Sequence, residues 1–501
     1  MHRKALSQVL AASLLLYSQS GQTAANDYQE RRVAHLFDRL AYGARPGDEE
    51  RLQKQGSHGI EAWIEAQLQP ETIPDDALEA KLSRLKIYSM NSADLLRSFQ
   101  KVEKVAEMRG IDKEKFKLDD ELKKKIRKEI GEENLPEEIV RELTSERLIR
   151  AVESRRQLQE VLVDFWLNHF NIDISKGEEK WMIPDFEKNS IRKHLFGKFE
   201  DLLSATAHSP AMLFYLDNQA SQSPYDYFAK RKPGQPLRPR KQGLNENYAR
   251  ELLELHTLGV DSGYTQSDVT ELARILTGWG IEDIHESPYF IFKEPVHDQG
   301  KKIFLGQVYP EGKGLDEGER AIHFLAHEPA TARFISTKLA RYFVSDSPPK
   351  TLIDRMAAKF LESDGDLKAV YRELFYSPEF WAPSSFGVKV KKPIQLVGSA
   401  IRVMGGELDL KNSLSKVLAS LGEEPYKCPP PTGYPDRAEA WVNPGSMVSR
   451  LSFALQLSAN RLDGSYVLTP RLEKPGANDE ALLGQIELKL LHELLTKNSE
   501  Q

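Results

Sequence analysis

Residues 245–259 read Asn245-Glu246-Asn247-Tyr248-Ala249-Arg250-Glu251-Leu252-Leu253-Glu254-Leu255-His256-Thr257-Leu258-Gly259. Asn245 has the chemistry of an N-cap, Glu246 suits the positive end of the helix dipole, and Gly259 suits the position just past a helix end. On a helical wheel Asn247, Arg250, Glu251 and Glu254 fall within about one third of the circumference. Tyr248, Leu252, Leu253 and Leu255 occupy another arc, with His256 inside it. The stretch therefore predicts an amphipathic helix. Its polar face reads either as a solvated surface holding an Arg250–Glu254 pair or as one wall of a cleft. Two carboxylates one turn apart can push their pKa values apart and divide acid and base roles, or bind a cation.

The same periodicity runs outward through nearly the whole chain, so the expected fold class is mainly α: a large multi-helix body with one small β-hairpin. Residues 28–68 read as two helices separated by a loop at Gly43–Gly47, with Asp48 as N-cap. Residues 95–146 are dense in Lys and Glu of both signs, as in Lys123-Lys124-Lys125 between Glu121 and Glu129, which predicts a charged helical insertion or arm. Leu158, Val161, Leu162, Phe165, His169 and Phe170 recur at spacings of three and four, one apolar face that includes His169. A buried imidazole needs a partner, since an unsatisfied buried polar group costs about 1–3 kcal/mol. His169 is either a core histidine bonded to a carbonyl or carboxylate, or a functional group. Residues 221–243 form a loop rich in Pro, Arg and Lys. Residues 289–292 and 302–306 read as two strands of a hairpin, with His297 to Gly300 as the turn region. Lys338 and Arg341 lie on the basic face of a later helix. The resulting division is 1–25 signal peptide, 26–94 N-terminal helices, 95–146 charged insertion, 147–285 central core with the candidate site, 286–312 hairpin, 313–385 helical subdomain, and 386–501 C-terminal helices with a Pro/Gly/aromatic loop.

The N-terminus sets a compartment. Arg3 and Lys4 precede an apolar run from Val9 to Tyr17, and Thr23-Ala24-Ala25 offers small residues for cleavage. The run is shorter than the ~20 residues a spanning helix needs. A signal peptide is the expectation, with a periplasmic or secreted product and no transmembrane segment after its removal. A formal net charge of -6 over 501 residues gives no footprint for nucleic acid. The single Cys428 forms no intramolecular disulfide and reads as a small buried filler. Walker A, G-x-G-x-x-G, G-x-S-x-G, H-E-x-x-H and C-x-x-C patterns are absent from the sequence, which sets aside the chemistries those motifs serve.

From Asn245 to Trp279 the chain resembles the signature of the bacterial family called domain of unknown function 1800. Further matching stretches follow in order: residues 164–170 before it, 297–306 and 327–349 after it, then 389–397 and 429–455. The resemblance covers nearly all of the chain after the signal. It departs at Tyr434, where the family usually has Trp, and in the expanded charged region. It implies an exported protein without an assigned reaction, often encoded beside a second exported protein, which makes that protein a candidate partner. It also implies that Asn168, His169, Asn245, Glu246, Asn247, Arg250, Glu251 and Glu254 share a cleft.

Three readings of function follow. In the first, a hydrolase or lyase acts on an envelope or environmental polymer such as a glycan. Glu251 is the general acid or base, Glu254 or Asp164 the second carboxylate, His169 a proton carrier and Arg250 an electrostatic clamp. Asn168, Asn245, Asn247, Tyr248 and Trp441 are the candidate substrate contacts. In the second, His169, Glu251 and His256 hold a divalent metal ion as cofactor. In the third, the chain is a noncatalytic envelope scaffold that binds a partner.

Overall fold

Two consecutive helices, Pro136–Glu153 and Gln157–His169, carry the centre of the molecule. Pro136 starts the first helix where its missing N–H costs nothing. The bend between the two is pinned by the Gln157 amide, which donates to the carbonyls of Ala151 and Ser154 and accepts from the Tyr42 N–H. Ser154 donates its hydroxyl to Asp75 at 2.6 Å. Leu158, Val161, Leu162, Val163, Phe165, Trp166 and Leu167 are all buried. The single apolar stripe expected here is thus a helix covered on nearly every side, as a central core helix should be. Trp166 donates to the Tyr371 hydroxyl at 2.8 Å, which in turn donates to the Leu195 carbonyl.

The computed structural model describes residues 21–229, 235–241, 243–412 and 414–466. The apolar run of the expected signal peptide lies outside the described residues. Within them the fold is mainly α, and one hydrophobic cluster extends from Val33 to Leu462. The segments 26–94, 147–285, 313–385 and the described part of 386–501 therefore share one core. No helix among the described residues is long and apolar enough to cross a membrane.

Local pairing differs from the expected hairpin. Both strand segments form, but each pairs with a nearer neighbour: Trp279–Asp283 with Ser287–Phe292, and Lys302–Phe304 with Gln307–Tyr309. Leu305 and Gly306 both have positive φ, 47° and 75°, the conformation of a two-residue turn whose twist suits a tight hairpin. Closing that short turn costs less chain entropy than closing the loop through His297. Residues 28–68 form three helices, Gly21–Leu40, Asp48–Lys54 and Ser57–Gln67. Gly47, at φ 82°, holds the cap position expected of Asp48. Asp48 is the first helical residue, and its carboxylate accepts the Arg45 N–H at 2.8 Å.

The charged region divides at its end. Val102–Met108, Lys113–Leu118 and Asp120–Ile130 close around a small core of their own, Ala106, Phe116 and Ile126. From Pro136 onward the sequence is still rich in Arg and Glu, yet it forms the buried central helix with Ile139, Leu143 and Leu148 in the main core.

Candidate functional site

Asp164 sits on the central helix with only 1% of its surface exposed. An isolated carboxylate there would be prohibitive, so its surroundings must supply charge and hydrogen bonds. Three elements converge to do so. Arg147, from the preceding helix, donates to Oδ1. Lys392, immediately before the Pro393–Val403 helix, places Nζ 2.9 Å from Oδ2. Tyr342, from the Pro329–Phe343 helix, donates its hydroxyl to Oδ2 at 3.0 Å and accepts from Gln395. Lys392 also lies 3.7 Å from Asp436. Close by, the buried Glu423 accepts the Ile394 N–H at 2.9 Å.

These groups border a cavity of about 30 Å³ whose wall includes Arg147, Asp164, Asn168, Lys392, Glu423 and Tyr434. That is room for about two waters. The roof is the Pro/Gly-rich loop after Glu423, latched by the two asparagines of the central segment. Asn168 donates Nδ2 to the Tyr434 carbonyl at 2.8 Å and accepts the Tyr434 N–H at 2.7 Å. Asn171 donates to the carbonyls of Cys428 and Pro430. Tyr426 lies in the left-handed region at φ 63°, its ring beneath the Arg147 guanidinium and its hydroxyl on Glu187. Glu187 continues through Arg192 to Glu160, so the buried charges form one connected chain.

The two acids of the cavity are driven apart. Burial works to raise Asp164 and is the largest influence on it, but Lys392 and Arg147 together outweigh it and hold the carboxyl below its ordinary range. Burial dominates at Glu423, where Lys392 opposes it and the Asp164 charge adds to it. The result is a carboxyl pushed up to about 7. One acid is ionised and its neighbour titrates near neutrality, the pattern that lets a pair of carboxyls serve as base and acid.

Of the residues singled out in the sequence, Asp164 and Asn168 belong to this cavity. His169 does not: its Nε2 meets the His256 carbonyl oxygen at 3.2 Å and its Nδ1 has no hydrogen-bond partner. Burial holds its pKa well below the usual value, with Lys338 and His256 adding to the effect. His256 is likewise buried, and burial lowers it to about 3. Glu251 is partly buried, raised by burial and then by Glu254, with Arg250 opposing. It makes no hydrogen bond to His169, so the expected relay between these two helices does not form. His169, Glu251 and His256 also do not gather as a metal set. Among the described residues, the group of three with ligand atoms within 4.8 Å of one another is Glu200, His323 and His327.

The polar face of the Asn247–Glu251 helix is tied to its neighbour. Arg250 lies 3.4 Å from Glu246 and 3.6 Å from Glu254 and donates to Gln266 at 2.8 Å. Glu246 accepts from Gln266 and Thr270 on the Gln266–Ile275 helix. Asn245 precedes the cap, and its Oδ1 accepts the Asn247 N–H at 2.9 Å. From Leu252 the helix widens into a π turn through His256. Tyr248 is 1% exposed and Trp441 5%. Trp441 donates to the Pro435 carbonyl and packs near Tyr434. Neither ring offers an open face for stacking on a sugar. Cys428 is buried, and burial pushes its thiol up to about 11.

Arg147, Lys392 and Glu423 were not singled out as site residues. Arg147 directly follows the charged stretch 95–146, and Lys391-Lys392 is a pair of like charges with no acidic partner near it in sequence. The one available signal was Lys392 directly before an apolar helix that opens with Pro393.

A family model described as "protein of unknown function (DUF1800)" matches residues 35–501. No curated protein and no solved structure matches the chain.

Proposed function

The chain belongs to the DUF1800 family of proteins of unknown function, and on that premise we propose that it is an exported hydrolase or lyase using carboxylate acid–base chemistry at the Asp164–Glu423 cavity. The observation that carries this reading is the burial of Asp164, Arg147, Lys392 and Glu423 around one polar cavity. Buried ion pairs are often no better for stability than apolar residues of the same volume, because desolvation offsets the attraction. Four such groups beside a space for water are better explained by proton transfer than by packing. Glu423 is the proton donor. Asp164, held ionised by Lys392 and Arg147, is the base or the stabiliser of developing positive charge. Lys392 and Arg147 offer charge to an oxygen that gains electrons in the transition state.

The substrate class follows the earlier expectation of an envelope or environmental polymer. A cavity of this size admits a sugar unit only when the roof over Asn168 and Asn171 lifts, so opening of the loop after Glu423 is part of the proposal. Export rests on the signal-like residues 1–25.

The test is a turnover screen of the exported protein against envelope glycans, beside Glu423→Gln and Lys392→Met. A substrate cleaved by the parent chain and lost in Glu423→Gln supports the assignment. Equal turnover by both variants removes the cavity from the reaction.

A further inference from the structure

We propose that Glu200, His323, His327 and Asp364 form a structural site for a divalent transition ion, with zinc as the fitting metal. The four donors come from three elements away from the cavity. Glu200 lies in the first turn of the Phe199–Ala207 helix. His323 and His327 are one turn apart at the end of the Leu315–His327 helix. Asp364 follows the Lys350–Glu362 helix.

The hydrogen bonds around His327 carry the argument. Its Nδ1 lies 2.7 Å from the His323 carbonyl oxygen, a group that can only accept, so Nδ1 holds the proton. Nε2 then turns toward Asp364 Oδ1 at 2.7 Å and Glu200 Oε2 at 3.8 Å. A neutral imidazole presents a lone pair there, and a lone pair facing two carboxylates is repulsive. The point between them requires positive charge, either a second proton or a cation. An imidazole whose other nitrogen donates to a backbone carbonyl is also the usual arrangement of a metal-bound histidine. His323 adds a second ring, with Nδ1 2.9 Å from Glu200 Oε1 and its centroid 4.4 Å from that of His327.

The scaffold beneath is already tied. Phe199 N–H donates to the Gly365 carbonyl and Leu367 N–H to the Gly197 carbonyl, at 2.8 and 3.0 Å. These bonds fix the loop carrying Asp364 against the start of the helix carrying Glu200. Asp364 itself has φ 56°, an uncommon conformation for a residue other than glycine, and its other oxygen pairs with Lys198. Lys198 would remain on that oxygen as an outer partner when Oδ1 binds metal. The ligand atoms of Glu200, His323 and His327 lie within 4.8 Å of one another, and Asp364, on His327 Nε2, closes the coordination as the fourth donor once the metal draws its carboxylate in, which makes the site structural rather than catalytic. This set is separate from His169, Glu251 and His256.

The experiment titrates the full exported chain, first stripped with chelator, with zinc in competition with a chromophoric chelator at neutral pH. Parallel titrations use Glu200→Gln, His327→Gln and, as a control, the exposed His285→Ala. The expected result is about one zinc per chain, binding weakened more than about tenfold in the first two variants, and no change in the control. Both substituted ligand positions are partly exposed, and circular dichroism of each variant checks that it is folded. A folded parent chain that takes up no zinc at millimolar free metal overturns the proposal. So does zinc uptake that both substitutions leave unchanged.

Discussion

Gly433 lies so close to the central helix that a Cβ built on it would stand 2.4 Å from the Asn168 carbonyl oxygen and 2.6 Å from its side-chain oxygen. Gly433 also has φ 72°, where side chains other than hydrogen are disfavoured. The roof of the cavity can therefore approach Asn168 only through a glycine, and that approach lets Tyr434 exchange two hydrogen bonds with the Asn168 amide.

Gly433→Ala should lift this part of the roof. The positive φ alone costs about 1 kcal/mol, and the clash with a backbone oxygen cannot be relieved by rotating a side chain. A total loss of about 2 kcal/mol or more is expected in urea unfolding, together with faster proteolysis between Pro429 and Tyr434. Asn168→Ala removes the latch without the clash and should show the same proteolytic opening with a smaller loss of stability.

Glu423 gives the fold a pH dependence of defined sign. Its carboxyl is raised from 4.5 to about 7, so between those values the folded chain keeps a proton that the unfolded chain has released. Stability from this group is intact below the unfolded value, declines as pH rises toward about 7, and stays lowered above it. Glu423→Gln has no such proton. Relative to the parent, it should gain stability between about pH 5 and pH 8, by on the order of 3 kcal/mol at most. Asp164 has the opposite shift, and its contribution is lost only under more acidic conditions, outside that window. Urea unfolding at the two pH values reads the difference directly; an equal gap at both would show that Glu423 is not raised.

Lys392→Met should be costly for a reason visible only in the structure. It leaves Asp164 buried with one cation instead of two, and breaking a buried pair typically costs about 3–5 kcal/mol. Removing both charges, as Asp164→Asn with Lys392→Met, should cost less than the sum of the single changes, because neither group is then left uncompensated. A double-mutant cycle by denaturant unfolding measures the coupling; additivity would show that the two side chains do not interact in the folded protein.

The helical class was legible because apolar spacing survives in almost every segment. Leu158 through Phe170 predicted a helix, although the stripe understated how fully it is enclosed. The polar site was legible only in part. Asp164 and Asn168 stand out as polar residues in an apolar run, but their partners do not. Arg147 and Lys392 lie in stretches whose charge content matches a solvated surface, and nothing in local spacing distinguishes a cation facing water from one facing a buried carboxylate. The sequence leaves His169 open between a core and a functional role, and its contact with the His256 carbonyl matches the core alternative. The strands at 289–292 and 302–304 were recognised by composition. Their pairing was not, because it depends on the turn at Leu305-Gly306 and on Trp279–Asp283, a segment for which the sequence offers no expected strand.

The charged region supplies a prediction about how stability is distributed. Ala106, Phe116 and Ile126 form a core separate from the main cluster, and the surrounding ion pairs, such as Arg127–Glu132 and Lys124–Glu121, are exposed. Exposed pairs of this kind contribute little, about 0–1 kcal/mol each, so the three buried side chains and the apolar residues packed against them, such as Val105 and Leu122, carry most of the local stability. Ile126→Ser replaces one of them with a polar group and should unfold these helices alone. Hydrogen exchange should then accelerate from Val102 to Ile130, while amides of the Gln157–His169 helix keep their protection and the main thermal transition moves by only a few degrees. Loss of protection in the central helix as well would show that the two cores unfold as one unit and that the charged helices are integral to the fold rather than appended to it.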